Sequence, residues 1–168
     1  MIDDYFKKEN QKNSPIKTDI RITQYEKIER EIQKDKAIIV DLDGTLSLIY
    51  NRNVYEASKS LNDQVNKPIL SILNKYKNDH KIIIITGRSL KDKDVTLDWL
   101  HINNIPYDYL YMRDERDFKP DYIVKLDIYK RFIQNKFNIQ FVLEDRNQVV
   151  EMYRDLGLPC FQVYYGDF

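Results

Sequence analysis

The residues of this chain that could do chemistry begin with Asp41 and Asp43, in the stretch AIIVDLDGTL. Two carboxylates pressed together repel one another, so such a pair is costly unless a cation or an acid–base task uses it. The short apolar run before them, bounded by a turn signal, reads as a buried strand of a parallel sheet. Side chains alternate along a strand, so Asp41 and Asp43 project the same way and Leu42 the other. Gly44 permits a sharp exit, and Thr45 is expected to hydrogen-bond locally within the turn. An ordinary Asx turn accounts for one aspartate, but poorly for the pair followed by Gly-Thr.

Further along, QFVL ends in a second acidic pair, Glu144-Asp145, followed by Arg146. Four carboxylates converging on one sheet edge would make a hard-cation site of the Mg²⁺ type. Between the two pairs, KIIIIT ends in Thr86-Gly87-Arg88, where a hydroxyl and a glycine turn offer donors to a phosphate. Lys119 and Lys125 stand before and within the first turns of an expected helix. The plain alternative for both is a solvated face, the usual fate of lysine.

The elements that must position these groups alternate between strand and helix. Strands are expected at 36–41, 81–86, 107–111 and QFVL, with LPCFQVYY as the fifth. Helices are expected over PILSILNKYKN, around 95–102, over 121–135 and over 147–156, with Gly157 as the cap of the last. This is an α/β pattern, a doubly wound, five-stranded parallel sheet, in which ligands sit outside the carboxyl ends of the strands. The candidate residues fall at those ends. Residues 1–35 read as a polar extension and an amphipathic helix, TQYEKIEREIQKDK, and 36–168 as the main domain. The insertion at 47–65 is too short for a core of its own and reads as a minimal cap. An uncapped site stays open, which suits a bulky substrate whose end alone enters. Trp99 and Cys160 read as core, and His80 and His101 as structural or solvated.

At 168 residues the chain suffices for one domain with a sizeable core. Basic and acidic residues balance at 27 each, which argues against a generic nucleic-acid coat. A single cysteine excludes an internal disulfide framework and suits a reducing cytosol. No apolar segment reaches transmembrane length and the N-terminus lacks the apolar core of a signal peptide, so a soluble, cytoplasmic protein is expected. None of the 4 glycines has the spacing of a GxxxxGK phosphate loop, so no P-loop kinase domain is expected in this chain.

DLDGT, then TGR, then a lysine on or before a helix, then EDR, follow the order of the motifs of the haloacid dehalogenase (HAD) superfamily of phosphohydrolases. From about Ala37 to Phe168 the chain resembles the 3′-phosphatase domain of T-even phage polynucleotide kinase-phosphatases, most closely in EDRNQVVEMYRDLGLPCFQVYYGDF. Glu144 departs from the aspartate of that family. The resemblance implies that Asp41 is a nucleophile forming an aspartyl-phosphate and Asp43 the general acid and base. It implies Mg²⁺ on Asp41, Asp145 and the backbone carbonyl of Asp43, with Glu144 beside them. Thr86 and Lys125 (or Lys119) would bind the phosphoryl oxygens. Arg52, Gly87, Arg88, Arg113 and Asp121 fall at matching substrate-binding positions, while Arg146 is equally suited to a structural ion pair.

The implied activity is Mg²⁺-dependent removal of a 3′-phosphate from DNA or RNA ends in end healing, with a separate kinase or ligase as a partner. One alternative is a phosphatase of small phosphomonoesters such as nucleoside monophosphates. A third, a non-catalytic module binding phosphorylated ends, would call for loss of the nucleophile or metal acids, all of which are present.

Overall fold

The computed structural model describes residues 34–166. The polar extension and the expected amphipathic helix as far as residue 33, and the terminal Asp167 and Phe168, lie outside the described residues; the last residues of that expected helix, Asp35 and Lys36, belong instead to the first strand. In chain order the strands are β1 (Asp35–Val40), β2 (Ser47–Leu48), β3 (Gln64–Val65), β4 (Lys81–Ser89), β5 (Tyr109–Arg113), β6 (Phe137–Arg146) and β7 (Cys160–Gly166). The α-helices are α1 (Lys67–Tyr76), α2 (Lys93–Ile102), α3 (Asp121–Ile128) and α4 (Asn147–Asp155).

Five strands form one sheet in the order β5-β4-β1-β6-β7, and every pairing in it is parallel. The isoleucine runs explain why β1 and β4 sit at its middle. Alternation sends Ile38 and Val40 to one face with Ile82 and Ile84, where Leu73 of α1 and Trp99 and Leu100 of α2 cover them. Ala37, Ile39, Ile83 and Ile85 face the other way, against Val124 and Ile128 of α3 and Val149, Val150 and Tyr153 of α4. Helices on both faces are the doubly wound arrangement expected for near-continuous apolar strands. Trp99 and Cys160 are buried, as their surroundings in sequence suggest. Burial pushes the Cys160 thiol up to about 12, with the Glu144 charge adding to the effect, which makes it a poor nucleophile.

Several boundaries differ from the sequence reading, because a strand ends where its neighbours stop pairing. Strand β4 continues to Ser89, whose partner is Arg113 after a register shift beyond Thr86↔Met112. Strand β6 starts at Phe137, opposite Asp35, and runs through the acidic pair until Arg146 meets Gly166. Strand β5 lies later than 107–111, since Tyr109 is the residue that faces Ile83. The helix expected over 121–135 is α for its first part, and Tyr129–Ile133 continue it as a π-helical turn.

Residues 47–65 hold the antiparallel pair β2–β3, with Ser47 opposite Val65, and a 3-10 turn at Ala57–Asn62. The segment is tied down by Asp63, which is 5% exposed and accepts hydrogen bonds from Ser47 Oγ, the Tyr50 backbone N–H and Arg52. Trp99 Nε1 donates to the Asp63 carbonyl at 3.0 Å, which ties the insertion to α2.

Candidate active site

A cleft of about 640 Å³ opens at the carboxyl ends of β1, β4 and β6 and is lined by both acidic pairs, Thr86-Gly87-Arg88 and Lys125. Asp41 follows directly on β1, and its backbone N–H still donates to Leu143 at 3.0 Å. The chain then closes a tight turn in which Leu46 and Ser47 both donate backbone N–H to Leu42. Gly44 has φ +94°, and a Cβ there would collide with Asp145 Oδ2. The glycine of DGT is thus required twice, by its own dihedral and by the carboxylate lying against it. Thr45 bonds within the turn through its backbone N–H, which donates to the Leu42 carbonyl at 3.3 Å, while its Oγ1 donates across the sheet to Asp145 Oδ1 at 3.1 Å. The two acidic motifs are joined through this hydroxyl.

Two register shifts place the remaining groups. The slip in β4–β5 falls on Gly87-Arg88, and the slip in β6–β7 falls on Asp145. Such irregularities re-aim a side chain that regular alternation would send into the core. A Cβ at Gly87 would strike Asp121 Oδ1, so the glycine gives the N-terminus of α3 room to approach.

Lys125 reaches up from α3 into the centre. Its Nζ lies 2.7 Å from Asp41 Oδ1, 2.8 Å from Glu144 Oε2 and 3.3 Å from Asp121 Oδ2. Burial alone would lower the lysine pKa, but Asp41, Glu144 and Asp121 hold it well above its ordinary value. Burial would raise the Asp121 pKa, yet Lys125, Arg146 and Arg113 pull it below the ordinary value. Lys119 is half exposed and pairs with Asp127 at 2.9 Å, outside this cluster. Of the two candidate lysines, Lys125 is the one the structure brings to the carboxylates. Thr86 is buried beside them and accepts from the Arg88 N–H at 3.2 Å, so its own hydroxyl proton is available to a phosphate oxygen.

The arginines are placed differently from a set of free phosphate grips. Arg88 is bidentate on Asp43, with Nε and Nη2 each 2.7 Å from a carboxylate oxygen. Its Nη1 donates to Ser60 and Thr96. Arg52 Nη2 reaches Asp43 Oδ1 and Asp63 Oδ2, both at 2.5 Å. Two guanidiniums therefore fix the orientation of Asp43, and Asp63 pairs with both of them, with Arg52 closely and with Arg88 at 3.6 Å. Arg113 donates to the carbonyls of Gly87, Asp117 and Lys119 and to Asp121, and braces the loop before α3. Arg146 lies 3.5 Å from Asp121, the ion pair already considered for it. Asp63 and Ser60 escape sequence reasoning: SKSLND looks like any polar loop, and only the fold shows that it lies beside Asp43. Gln162, which donates to the Asp145 carbonyl at 2.9 Å, likewise carries no signal.

Among the described residues, one group of carboxylates, Asp41, Glu144 and Asp145, brings ligand atoms within 4.8 Å of one another. Glu144 has both oxygens engaged, Oε2 by Lys125 and Oε1 by the backbone N–H groups of Asp145 and Arg146. Asp145 Oδ2 is buried with no hydrogen-bond partner. A buried carboxylate oxygen without a donor is costly, so the donor set fits a hard divalent cation. Burial and the Glu144 charge push the Asp41 pKa from an ordinary 3.8 up to about 8. Burial and the Asp41 charge push Asp145 up to about 6.

These shifts fix the sign of a pH effect. Between an ordinary 3.8 and the raised values, the folded chain holds protons that the unfolded chain has released. Cation-free protein should therefore lose stability as pH rises from about 4 to about 8. A cation held by these carboxylates would replace those protons, so its binding would strengthen with pH. Thermal melts in chelator should give a falling Tm from pH 5 to pH 8, with Mg²⁺ raising Tm more at pH 8 than at pH 5. A Mg²⁺ effect independent of pH would contradict this account.

An aspartate at the end of β1, a second aspartate two residues on, a buried lysine and a distal acidic pair, at the carboxyl ends of a doubly wound sheet, define a phosphatase of the HAD class. The comparisons narrow the class. The family model described as the polynucleotide kinase PNKP phosphatase domain matches residues 35–168, and the chain belongs to this family. A polynucleotide kinase/RNA ligase of Autographa californica nuclear polyhedrosis virus, described as bifunctional, is 32% identical over 128 residues, 74% of this chain and 18% of that protein. Two solved structures of a Pnkp1/Rnl/Hen1 complex, one described as an RNA repair complex, contain similar chains at 44% identity. Their TM-scores are 0.78 and 0.79; they cover 80% and 81% of this chain, which spans 44% and 48% of theirs. The chain thus spans less than half the length of each of these relatives. Among the described residues, no helix is long and apolar enough to cross a membrane.

Proposed function

We propose that this chain removes the phosphate from 3′-phosphorylated polynucleotide ends, in nucleic-acid end healing, through an aspartyl-phosphate on Asp41. The observation that carries the reading is Asp41 itself, held at the floor of an open cleft by Lys125 with Asp43 and Thr86 beside it. A carboxylate oxygen of Asp41 attacks phosphorus, and the P–O bond to the 3′ oxygen breaks. Asp43 supplies the proton that the departing hydroxyl takes up. Asp43 then removes a proton from water, which attacks phosphorus and frees both inorganic phosphate and the Asp41 carboxylate. Lys125 and Thr86 hold the transferred phosphoryl oxygens, while Arg52 and Arg88 keep Asp43 aimed. Asp41, Asp145 and the Asp43 carbonyl would hold Mg²⁺ with Glu144 alongside, and the ion supplies charge neutralisation of the phosphoryl group.

The small insertion supports a polymeric substrate, because 47–65 does not carry enough core to seal the cleft. Two of the named relatives support it as well, one called a polynucleotide kinase/RNA ligase and one part of an RNA repair complex. By the same likeness, a kinase or ligase is the partner whose product or substrate this activity would match. The test is phosphate release with Mg²⁺ from a 3′-phosphorylated oligonucleotide, beside 3′- and 5′-mononucleotides. Preference for the oligomer is expected. Activity on mononucleotides alone would make the chain a phosphatase of small phosphomonoesters.

A further inference from the structure

Two large aromatic side chains stand in solvent on the rim of the catalytic cleft, Phe118 at 90% exposure and Tyr55 at 77%. Single exposed aromatics are common on protein surfaces and mean little by themselves. These two share a further property: each sits on a loop whose backbone an arginine pins. Arg113 Nη1 donates to the carbonyls of Asp117 at 3.2 Å and Lys119 at 2.7 Å, on either side of Phe118. Arg52 Nη1 donates to the carbonyls of Asn53 and Val54, both at 3.2 Å, just ahead of Tyr55. Asn53 Oδ1 accepts from the Tyr55 N–H at 3.0 Å.

Both arginines also bind groups of the site. Arg52 holds Asp43, and Arg113 holds Asp121, which in turn pairs with Lys125. The loop backbone that carries each ring is thereby braced to the floor where phosphorus would sit. A flat apolar ring presented on a fixed loop loses little entropy when something flat lies on it. Every nucleobase offers such a face, and stacking tolerates any sequence. The chain has no excess of positive charge to hold a polyanion, so contacts to bases have more to contribute than contacts to phosphates.

We propose that Phe118 and Tyr55 are the nucleobase contacts of this enzyme, stacking on bases at the phosphorylated end so that a base-bearing end is preferred to a bare sugar phosphate. The proposal rests on the polynucleotide reading above, and one experiment separates the two. The specificity constant kcat/KM is measured on a 3′-phosphorylated oligonucleotide with normal bases and on the same oligomer lacking its terminal bases. The full chain, Phe118→Ala, Tyr55→Ala and Phe118→Trp are compared, with Mg²⁺ present.

The unaltered chain should prefer the base-bearing oligomer. Either alanine variant should cut that preference by about five- to a hundredfold, mainly through KM. Phe118→Trp should restore it. A preference that survives undiminished in both alanine variants overturns the stacking assignment, as does equal use of the two oligomers by the unaltered chain; the polynucleotide reading stands in either case. Failure to hydrolyse any oligomer, with activity on mononucleotides retained, overturns both.

Discussion

Asp41→Asn should reduce phosphate release by on the order of 10⁴-fold to 10⁶-fold, the scale seen when a covalent nucleophile is lost. The amide nearly matches the carboxylate in shape and can still accept from Lys125, so the fold should survive the change. Stability should even be insensitive or improved near pH 8 in chelator. Burial and the Glu144 charge make ionisation of Asp41 unfavourable there, and the amide removes that charge. Lys125 keeps Glu144 and Asp121 as partners. The check is a pair of measurements on one preparation, turnover of a 3′-phosphorylated oligonucleotide and a thermal melt. Inactivity with an unchanged melt assigns Asp41 to chemistry. Substantial residual turnover would instead point to direct attack by water, with Asp43 as its base. Rapid-quench labelling from a ³²P-phosphorylated end should trap phosphate on the unaltered chain and none on the variant.

Lys125→Ala should damage the fold as well as the reaction. Three carboxylates, from the end of β1, from α3 and from β6, converge on one buried ammonium. Removing one member of a buried ionic cluster costs about 3–5 kcal/mol, because its partners stay desolvated without a counter-charge. For a domain of this size that corresponds to a fall in Tm of roughly 6–20 °C. Loss of a positive group facing the transferred phosphoryl should lower kcat by on the order of 10²–10³-fold. The two effects separate with pH. Lower pH protonates the abandoned carboxylates, so stability should recover toward pH 5 while activity does not. A melt unchanged at pH 8 would mean that the cluster contributes little to holding α3 against the sheet.

How much of this was legible in the sequence follows from which interactions are local. The runs AIIV and KIIII mark the two central strands because burial on both faces needs continuous apolar side chains. The acidic and Thr-Gly-Arg motifs mark strand ends because a turn must follow there. What the arginines do was not legible. The resemblance implies substrate contacts for Arg52, Arg88 and Arg113, and it gives no sign that Arg52 and Arg88 both bind Asp43 and that Arg113 braces the loop before α3. Arginine carries its charge anywhere, and its partner is chosen by elements that meet only in the fold. Thr45 shows the same limit on a smaller scale, since its hydroxyl passes over its own turn for Asp145. The extra length of β4 and β6 was hidden for a similar reason: the added pairs, Ser89↔Arg113 and Arg146↔Gly166, depend on neighbours distant in the chain.

The position of β1 in the sheet also governs the order in which the molecule can be made. The strand that carries Asp41 begins at Asp35, but one of its flanking strands starts at Lys81 and the other at Phe137. Both are parallel to it, so neither can be reached by a hairpin, and each closure spans a long intervening segment. During synthesis β1 meets β4 first, and its other edge stays unpaired until β6 has followed. Contacts so distant in sequence slow folding and expose the waiting strand to wrong pairings. Recovery of activity after denaturation is therefore tied to the slowest topological event, the arrival of β6 beside β1, and a nascent chain has no working fragment before that moment.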